Sequence, residues 1–384
     1  MSLLAMGTFA VGTDAFVVAG FLPQLADELG VSVEAAGQSV TVFAVAYAAL
    51  SPVLATVTAR VPRRRLLVLA LCVLAVANLG SALAPTFAVL MASRVVAAVG
   101  AAAFTPNAGA VASTLVDPAR RARALAVVVS GLTIATAIGV PLGGLASHAM
   151  GWRTALALVA ALCVVVAAGS GMLLPMVPGG PPVRLRERLA VLRNRAAQVV
   201  LPVTVLGMAA AYTAYAYAGP AFGSVGVPSE HLAWMLFLYG LGAILGAQGS
   251  GHLTDRVGAV RTLTVGYAVM TATLLTLGVL AMSGVELTVV VAVLAVAWGA
   301  SSWCQTPPQQ HRLIGAAPEH APLVIALNSS AIYAGIGIGT LIGAVVGASE
   351  PSWLFFSGAI LATVAGALLL STTRTAQHAT AGRK

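Results

Sequence analysis

Apolar residues run through this chain in twelve stretches, at about 2–23, 37–59, 66–84, 86–114, 124–147, 153–174, 198–220, 232–253, 261–282, 286–306, 322–347 and 352–371. Each is close to the ~20 apolar residues that carry an α-helix across a bilayer. The pattern therefore predicts an all-α membrane protein of twelve transmembrane helices. The polar connections carry a second signal, because the positive charges fall in alternate ones. The second, fourth, sixth, eighth and tenth connections and the C-terminal tail hold 18 of the 20 Lys and Arg residues. Arg153 stands alone in the other set, and Arg94 lies inside the fourth stretch. Positive connections stay in the cytoplasm, so both termini are expected there, with the chain in the cytoplasmic membrane.

The longest connection, 175–197, breaks the pattern in the middle. Pro175, Pro178, Gly179, Gly180, Pro181 and Pro182 end any helix, and Arg184, Arg186 and Arg188 hold the segment at the membrane surface. It divides the chain into an N-terminal bundle of six helices (1–178), a cytoplasmic linker (179–197) with room for a short surface helix, and a C-terminal bundle (198–371). Residues 372–384 read as a disordered tail. The halves repeat. Thr58-Ala59-Arg60-Val61-Pro62 follows the second stretch, and Thr254-Asp255-Arg256-Val257-Gly258 follows the eighth. Paired six-helix halves of this kind rock about a site near the bilayer midplane.

Composition changes this picture little. The chain is 59% hydrophobic and 8% charged, with a mean hydropathy of +0.96. The net charge of +9 sits in short juxtamembrane connections, where it orients the helices and meets anionic headgroups; no nucleic-acid partner is expected. Cys72, Cys163 and Cys304 all fall within apolar stretches, without the spacing of a disulfide framework or a metal site. The first stretch has no basic leader and carries Asp14, so it is expected to remain as a helix.

Several segments resemble the major facilitator superfamily of transporters, over the whole chain. Gly251-His252-Leu253-Thr254-Asp255-Arg256-Val257-Gly258 is similar to its loop signature. Four more are similar to the twelve-span drug:proton antiporters of the chloramphenicol, arabinose and sugar efflux type. These are Gly12-Thr13-Asp14-Ala15-Phe16 with Gly20-Phe21-Leu22-Pro23, then Arg94, then Gly139-Val140-Pro141-Leu142-Gly143-Gly144, then Ala326-Leu327-Asn328-Ser329-Ser330. The first half departs from the loop signature, with Ala59 at the acid and Pro62 at the glycine. The resemblance implies two pseudo-symmetric bundles, alternating access, and export of a small amphipathic compound driven by protons.

The residues themselves point to the coupling site. Of eleven acids only Asp14 is deep within a stretch, and Arg94 is the only deep cation. Ionisable groups are costly in lipid and mark pathways. Both lie roughly 12 Å from the same membrane boundary at 1.5 Å per residue, so they are expected to face each other. Burial opposes a charged carboxyl and a guanidinium supports it; protonation of Asp14 would release Arg94 and favour one orientation of the halves. Asp255 and Arg256, with Arg60 in the other half, are expected to form a gating contact on the cytoplasmic surface. Gly139, Pro141, Gly143 and Gly144 predict a kinked fifth helix packed closely at the contact between halves.

Substrate contacts are expected from amphipathic aromatic and amide side chains: Gln38, Phe43, Asn107, Tyr212, Tyr215, Trp303 and Asn328. No phosphate-binding motif is present. The energy source expected is therefore the proton gradient, with no cofactor. With a single deep acid and no His-Glu-x-x-His or Ser/His constellation, a membrane enzyme is not expected. The partners expected are a small-molecule substrate, protons and the lipid bilayer, for a monomer that encloses its own path.

Overall fold

The computed structural model describes residues 1–117, 120–180, 185–190, 194–316 and 321–381. Among them twelve helices are long and apolar enough to cross a membrane, and no strand occurs. They are span 1 (Ser2–Gly20), span 2 (Val33–Val57), span 3 (Arg63–Ala82), span 4 (Phe87–Thr114), span 5 (Arg123–Met150) and span 6 (Trp152–Leu173) in the first half. Span 7 (Ala197–Tyr215), span 8 (Ser229–Val257), span 9 (Ala259–Ser283), span 10 (Thr288–Gly315), span 11 (Leu323–Gly347) and span 12 (Ser352–Thr372) form the second.

Spans 1 and 5, 2 and 4, and 3 and 6 pack together in the first half; 7 and 11, 8 and 10, and 9 and 12 do so in the second. Each contact thus recurs six spans on. The halves meet along spans 2 and 11 and along spans 5 and 8, two seams that the same shift interchanges. Ser32 and Thr86 cap spans 2 and 4 by accepting from the backbone N–H groups of Ala35 and Val89. Gly151 and Gly258, at φ +86° and +88°, join spans 5 to 6 and 8 to 9 through one residue. Only glycine takes that conformation without strain.

Four spans are broken, three of them at or beside a proline. Span 1 is α-helical to Phe16, tightens into a 3₁₀ stretch at Val17–Gly20, and resumes as a separate helix, Leu22–Leu29, with Pro23 in its first turn. The sequence pattern runs this element unbroken to residue 23. Span 5 widens into a π-helix at Ala135–Gly139. Pro141 has no N–H for the carbonyl of Ala137, and its ring crowds that carbonyl. Span 7 stops at Tyr215 and a short helix, Ala218–Ser224, follows, where the sequence reading continued to residue 220. Span 10 breaks after Trp303 and continues as Thr306–Ala316, because Pro307 and Pro308 cannot donate into the turn before them.

Two expectations change. Asp255 and Arg256 do not sit in a loop: they occupy the last turn of the helix Leu232–Val257. The last helix, Ser352–Ala381, runs on through the segment read as a disordered tail, a stretch free of proline whose first glycine is Gly382. The linker contains a short helix, Leu185–Ala190. Just before it the chain is pinned to the turn between spans 2 and 3: Arg63 N–H donates to the carbonyl of Val177 and Gly180 N–H to that of Ala59, both at 2.9 Å. The turn that lacks the signature acid is thus held by backbone bonds to the linker.

The seam between spans 5 and 8 leaves no room for a side chain at Gly240. A Cβ there would lie 2.1 Å from Cα of Ala137, inside the π-helix. Gly240→Val should therefore force spans 5 and 8 apart and cost about 1–3 kcal/mol, the usual penalty of overpacking. Thermal unfolding of the detergent-purified protein measures this, and an unchanged midpoint would show that the seam is loose.

Candidate functional site

Asp14 and Arg94 meet in the interior of the first half. Arg94 Nη1 donates to Asp14 Oδ1 at 2.6 Å, and Nη2 donates to the backbone carbonyl of Asp14 at 3.1 Å. Both side chains have zero exposure. The pair is not saturated: Asp14 Oδ2 and Arg94 Nε have no hydrogen-bond partner among the described residues. The Arg94 guanidinium also lies over the ring of Phe43, 4.6 Å from its centroid, a contact that gains strength away from water. Asp14 sits just before span 1 changes from α to 3₁₀ geometry, so its local backbone is already the least regular part of the helix.

Span 5 supports this part of span 1 from behind through its small residues. A Cβ on Gly139 would stand 2.1 Å from Thr13 Oγ1, and one on Gly143 2.1 Å from Val17 Cγ2. Gly144 runs past the backbone of Gly20. The glycines therefore press span 5 onto the residues flanking Asp14, and the π-helix that follows from Pro141 touches span 8 on its other side. Span 5 thus packs against the neighbourhood of Asp14 on one side and against the other half of the molecule on the other.

A cavity of about 360 Å³ lies between the halves, lined by parts of spans 1, 2, 4, 5, 10 and 11. Its walls include Ser113, Leu125, Gln310 and Ile325, close to the ends of spans 4, 5, 10 and 11 that carry the basic connections. Its roof is Phe16, Tyr47, Trp303 and Tyr333. Thr8, Thr105, Thr306 and Ser329 supply hydroxyls; among the described residues no charged side chain lines it. Tyr333, from the second half, stacks on Tyr47 of the first with centroids 3.7 Å apart, and lies 6.1 Å from Phe43. Arg94, Phe43 and Tyr333 thus form a line of ring contacts from the ion pair to the cavity. At the opposite end the halves are closed. Tyr217 donates to the carbonyl of Thr340 at 3.0 Å, and its ring fills the space over Gly37. Burial and the neighbouring Glu34 carboxylate push the Tyr217 hydroxyl up from its ordinary range, so it stays protonated as a donor.

The expected substrate contacts divide. Trp303 lines the cavity. Tyr212 stands behind its roof, 5.5 Å from Phe16, and Tyr215 lies one ring further on. Phe43 serves Arg94. Three amides are away from the cavity, and each has at least one bond within the protein, although Asn328 Nδ2 has no partner among the described residues. Gln38 donates to the carbonyl of Glu34. Asn107 accepts from Arg63 at 2.8 Å, and Asn328 accepts from Thr204 at 3.1 Å. Residue type marked them, but the face of the helix decides. Phe16, Tyr47 and Tyr333 were missed. Their signal was spacing: Phe43 and Tyr47, like Ser329 and Tyr333, fall one turn apart on one face. Arg60, Asp255 and Arg256 are exposed and enter no ion pair among the described residues.

Comparison with known proteins agrees with this architecture. A model of the Major Facilitator Superfamily matches residues 4–310 and 203–384. The chain belongs to the Major Facilitator Superfamily. Within it, the MFS-type transporter YbcL of Bacillus subtilis is 29% identical over 374 residues, 96% of this chain and 95% of that protein. A chloramphenicol resistance protein of Streptomyces lividans is 34% identical over 261 residues, 66% of each chain. The fold is similar to the inward-facing, occupied crystal structure of a bacterial homolog of the human lysosomal transporter Spinster. The TM-score is 0.75 at 16% identity, covering 97% of this chain and 96% of that one. This is a multi-pass membrane transporter of the superfamily.

Removing the guanidinium strands a buried carboxylate. Arg94→Ala should destabilise the protein by about 3–5 kcal/mol, and adding Asp14→Asn should recover much of that loss, because the two sites are coupled. Thermal unfolding of the single and double variants reads the coupling directly; additive losses would show that the pair carries no mutual energy.

Proposed function

We propose that this transporter is a proton-coupled exporter of a small, neutral, partly apolar compound across the cytoplasmic membrane, by alternating access. The observation that carries the reading is a buried, incompletely bonded Asp14–Arg94 pair joined by ring contacts to a cavity with no charged lining among the described residues. A site without charges suits an uncharged substrate and leaves Asp14 for the proton. The bias of positive charge toward the connections at that end of the cavity supports an opening to the cytoplasm. The substrate class follows the relative that bears the name of chloramphenicol resistance.

In the cycle, substrate enters from the cytoplasmic end while Asp14 is charged and holds Arg94. After the halves reorient, a proton from outside neutralises Asp14. Arg94 then loses its anionic partner, and its hold on span 1 and on Phe43 weakens. The return to the cytoplasm-open form discharges the proton, and the pair re-forms. Asp255, Arg256 and Arg60 make their contact only in the form closed to the cytoplasm, which accords with their exposure here. One chain is sufficient, since the path runs between its own halves. The proton gradient supplies the energy.

The test is transport in proteoliposomes with an internal pH dye and an imposed gradient, using chloramphenicol, sugars and nucleosides. Compound-dependent proton flux is expected in the wild-type protein and should fall at least tenfold in Asp14→Asn, with folding retained. Substrate flux without proton flux would make the protein a facilitator and the ion pair a structural element.

A further inference from the structure

Beyond the cavity roof the second half holds a group of rings whose hydrogen-bonding atoms go unused. Tyr212, Tyr215, Tyr239, Trp298 and Trp303 are each at most 5% exposed. Their hydroxyl and indole groups have no hydrogen-bond partner among the described residues. The rings are continuous: Tyr212 to Tyr215 at 5.2 Å, Tyr215 to Tyr239 at 4.5 Å and Tyr239 to Trp298 at 5.1 Å between centroids. The Tyr212 hydroxyl is within electrostatic reach of those of Tyr215, Tyr239 and Tyr333, and that of Tyr239 lies close enough to Ser302 and Trp303 to interact with both. The polar atoms of Tyr212, Tyr215, Tyr239 and Trp303 therefore converge, with the ring of Trp298 packed against them.

Buried polar groups are almost always bonded, and several left open in one place call for a partner. Indole N–H groups only donate, so the partner presents acceptors. The cluster reaches the cavity at Trp303, which lines its roof, and one ring separates the other four members from it. Phe16 lines the cavity roof, and its centroid lies 5.5 Å from Tyr212 and 6.1 Å from Trp303. It is the last residue of the α-helical part of span 1, two positions after Asp14, where the helix gives way to 3₁₀ geometry.

We propose that these five side chains form a second substrate subsite, occluded in this conformation, which takes the acceptor oxygens of a neutral, flat compound once Phe16 swings aside. This rests on the reading of the protein as a transporter of neutral compounds and extends it. The cavity admits the substrate on apolar surface, and the inner cluster selects for acceptor groups. Phe16 ties the selection to Asp14 through two residues of the same helix. A compound of equal size with donors in place of acceptors would fill the cavity but leave the indoles unpaired, and would be rejected.

The test uses full-length protein in detergent with Trp152, Trp234 and Trp353 replaced by Phe, leaving the two indoles of the cluster. Nitrobenzene and chloramphenicol serve as probes, since both carry acceptor oxygens and a nitroaromatic ring quenches indole emission on contact. Saturable quenching is expected. Tyr212→Phe should raise the half-saturating concentration about tenfold, the effect of one hydrogen bond. Phe16→Ala should speed the onset at least tenfold. Quenching that is absent or linear in probe concentration for both compounds would overturn the proposal. So would saturation that Tyr212→Phe leaves unmoved, because the probe would then bind elsewhere and water alone would meet these groups. Tyr212→Phe keeps the ring and its volume, and carries the test if Phe16→Ala fails to fold. No gradient is applied, so the result is separable from antiport. A saturable subsite without Asp14-dependent proton flux would keep the subsite and discard the coupling; the reverse would discard the subsite alone.

Discussion

An ion pair buried in a membrane protein is the constraint on which this structure turns. Taking a carboxylate and a guanidinium out of water is repaid only by close, well-bonded geometry. Asp14 and Arg94 have that geometry in part: two hydrogen bonds and a ring beneath the cation, with one carboxylate oxygen and one guanidinium nitrogen left over. A pair held this way is stable while both members are charged and loses its basis when one is neutralised. In the proposed cycle that property makes it a two-state element rather than a fixed brace.

The fold connects this pair to the contact between halves by close packing of small residues, which the proposed cycle uses. Glycines 139 and 143 let span 5 press against the residues flanking Asp14, and Pro141 opens the π-helix that Gly240 of span 8 packs against. Only the short β-branched side chains of Thr13 and Val17 lie between spans 1 and 5 here, and at Gly240 backbone meets backbone. A second line runs through rings, from Arg94 to Phe43 and Tyr333, and ends in the cavity wall. In the proposed cycle the proton site and the substrate site thus occupy separate places, joined by two lines of packing.

Much of this was legible in the chain, for physical reasons. Length and apolarity define a spanning helix, so the twelve spans emerge from hydropathy alone. A deep acid and a deep base are so costly in lipid that Asp14 and Arg94 stood out singly, and their matching depths anticipated a direct contact. The cavity was less legible. Gln38, Asn107 and Asn328 have the polarity of substrate ligands, but none lines the cavity: Gln38 bonds the backbone of its own helix, and Asn107 and Asn328 meet Arg63 and Thr204 on neighbouring ones. Phe16, Tyr47 and Tyr333 look like ordinary core rings until the packing shows which face is open. Helix ends were also hidden. The run of the helix through Asp255 and Arg256 depends on Gly258 at positive φ, which sets the turn one residue later than the charges suggest.

The central claim is that Asp14 exchanges a proton in step with the conformation of the halves. Infrared difference spectroscopy of the purified protein measures this most directly, through the carbonyl stretch of a protonated carboxylic acid. The account predicts a single such band that appears on acidification, is diminished by adding chloramphenicol, and is missing from Asp14→Asn. A wild-type spectrum with no Asp14-dependent band across the pH range in which transport operates would contradict it, and would leave the pair as a permanent clamp between spans 1 and 4.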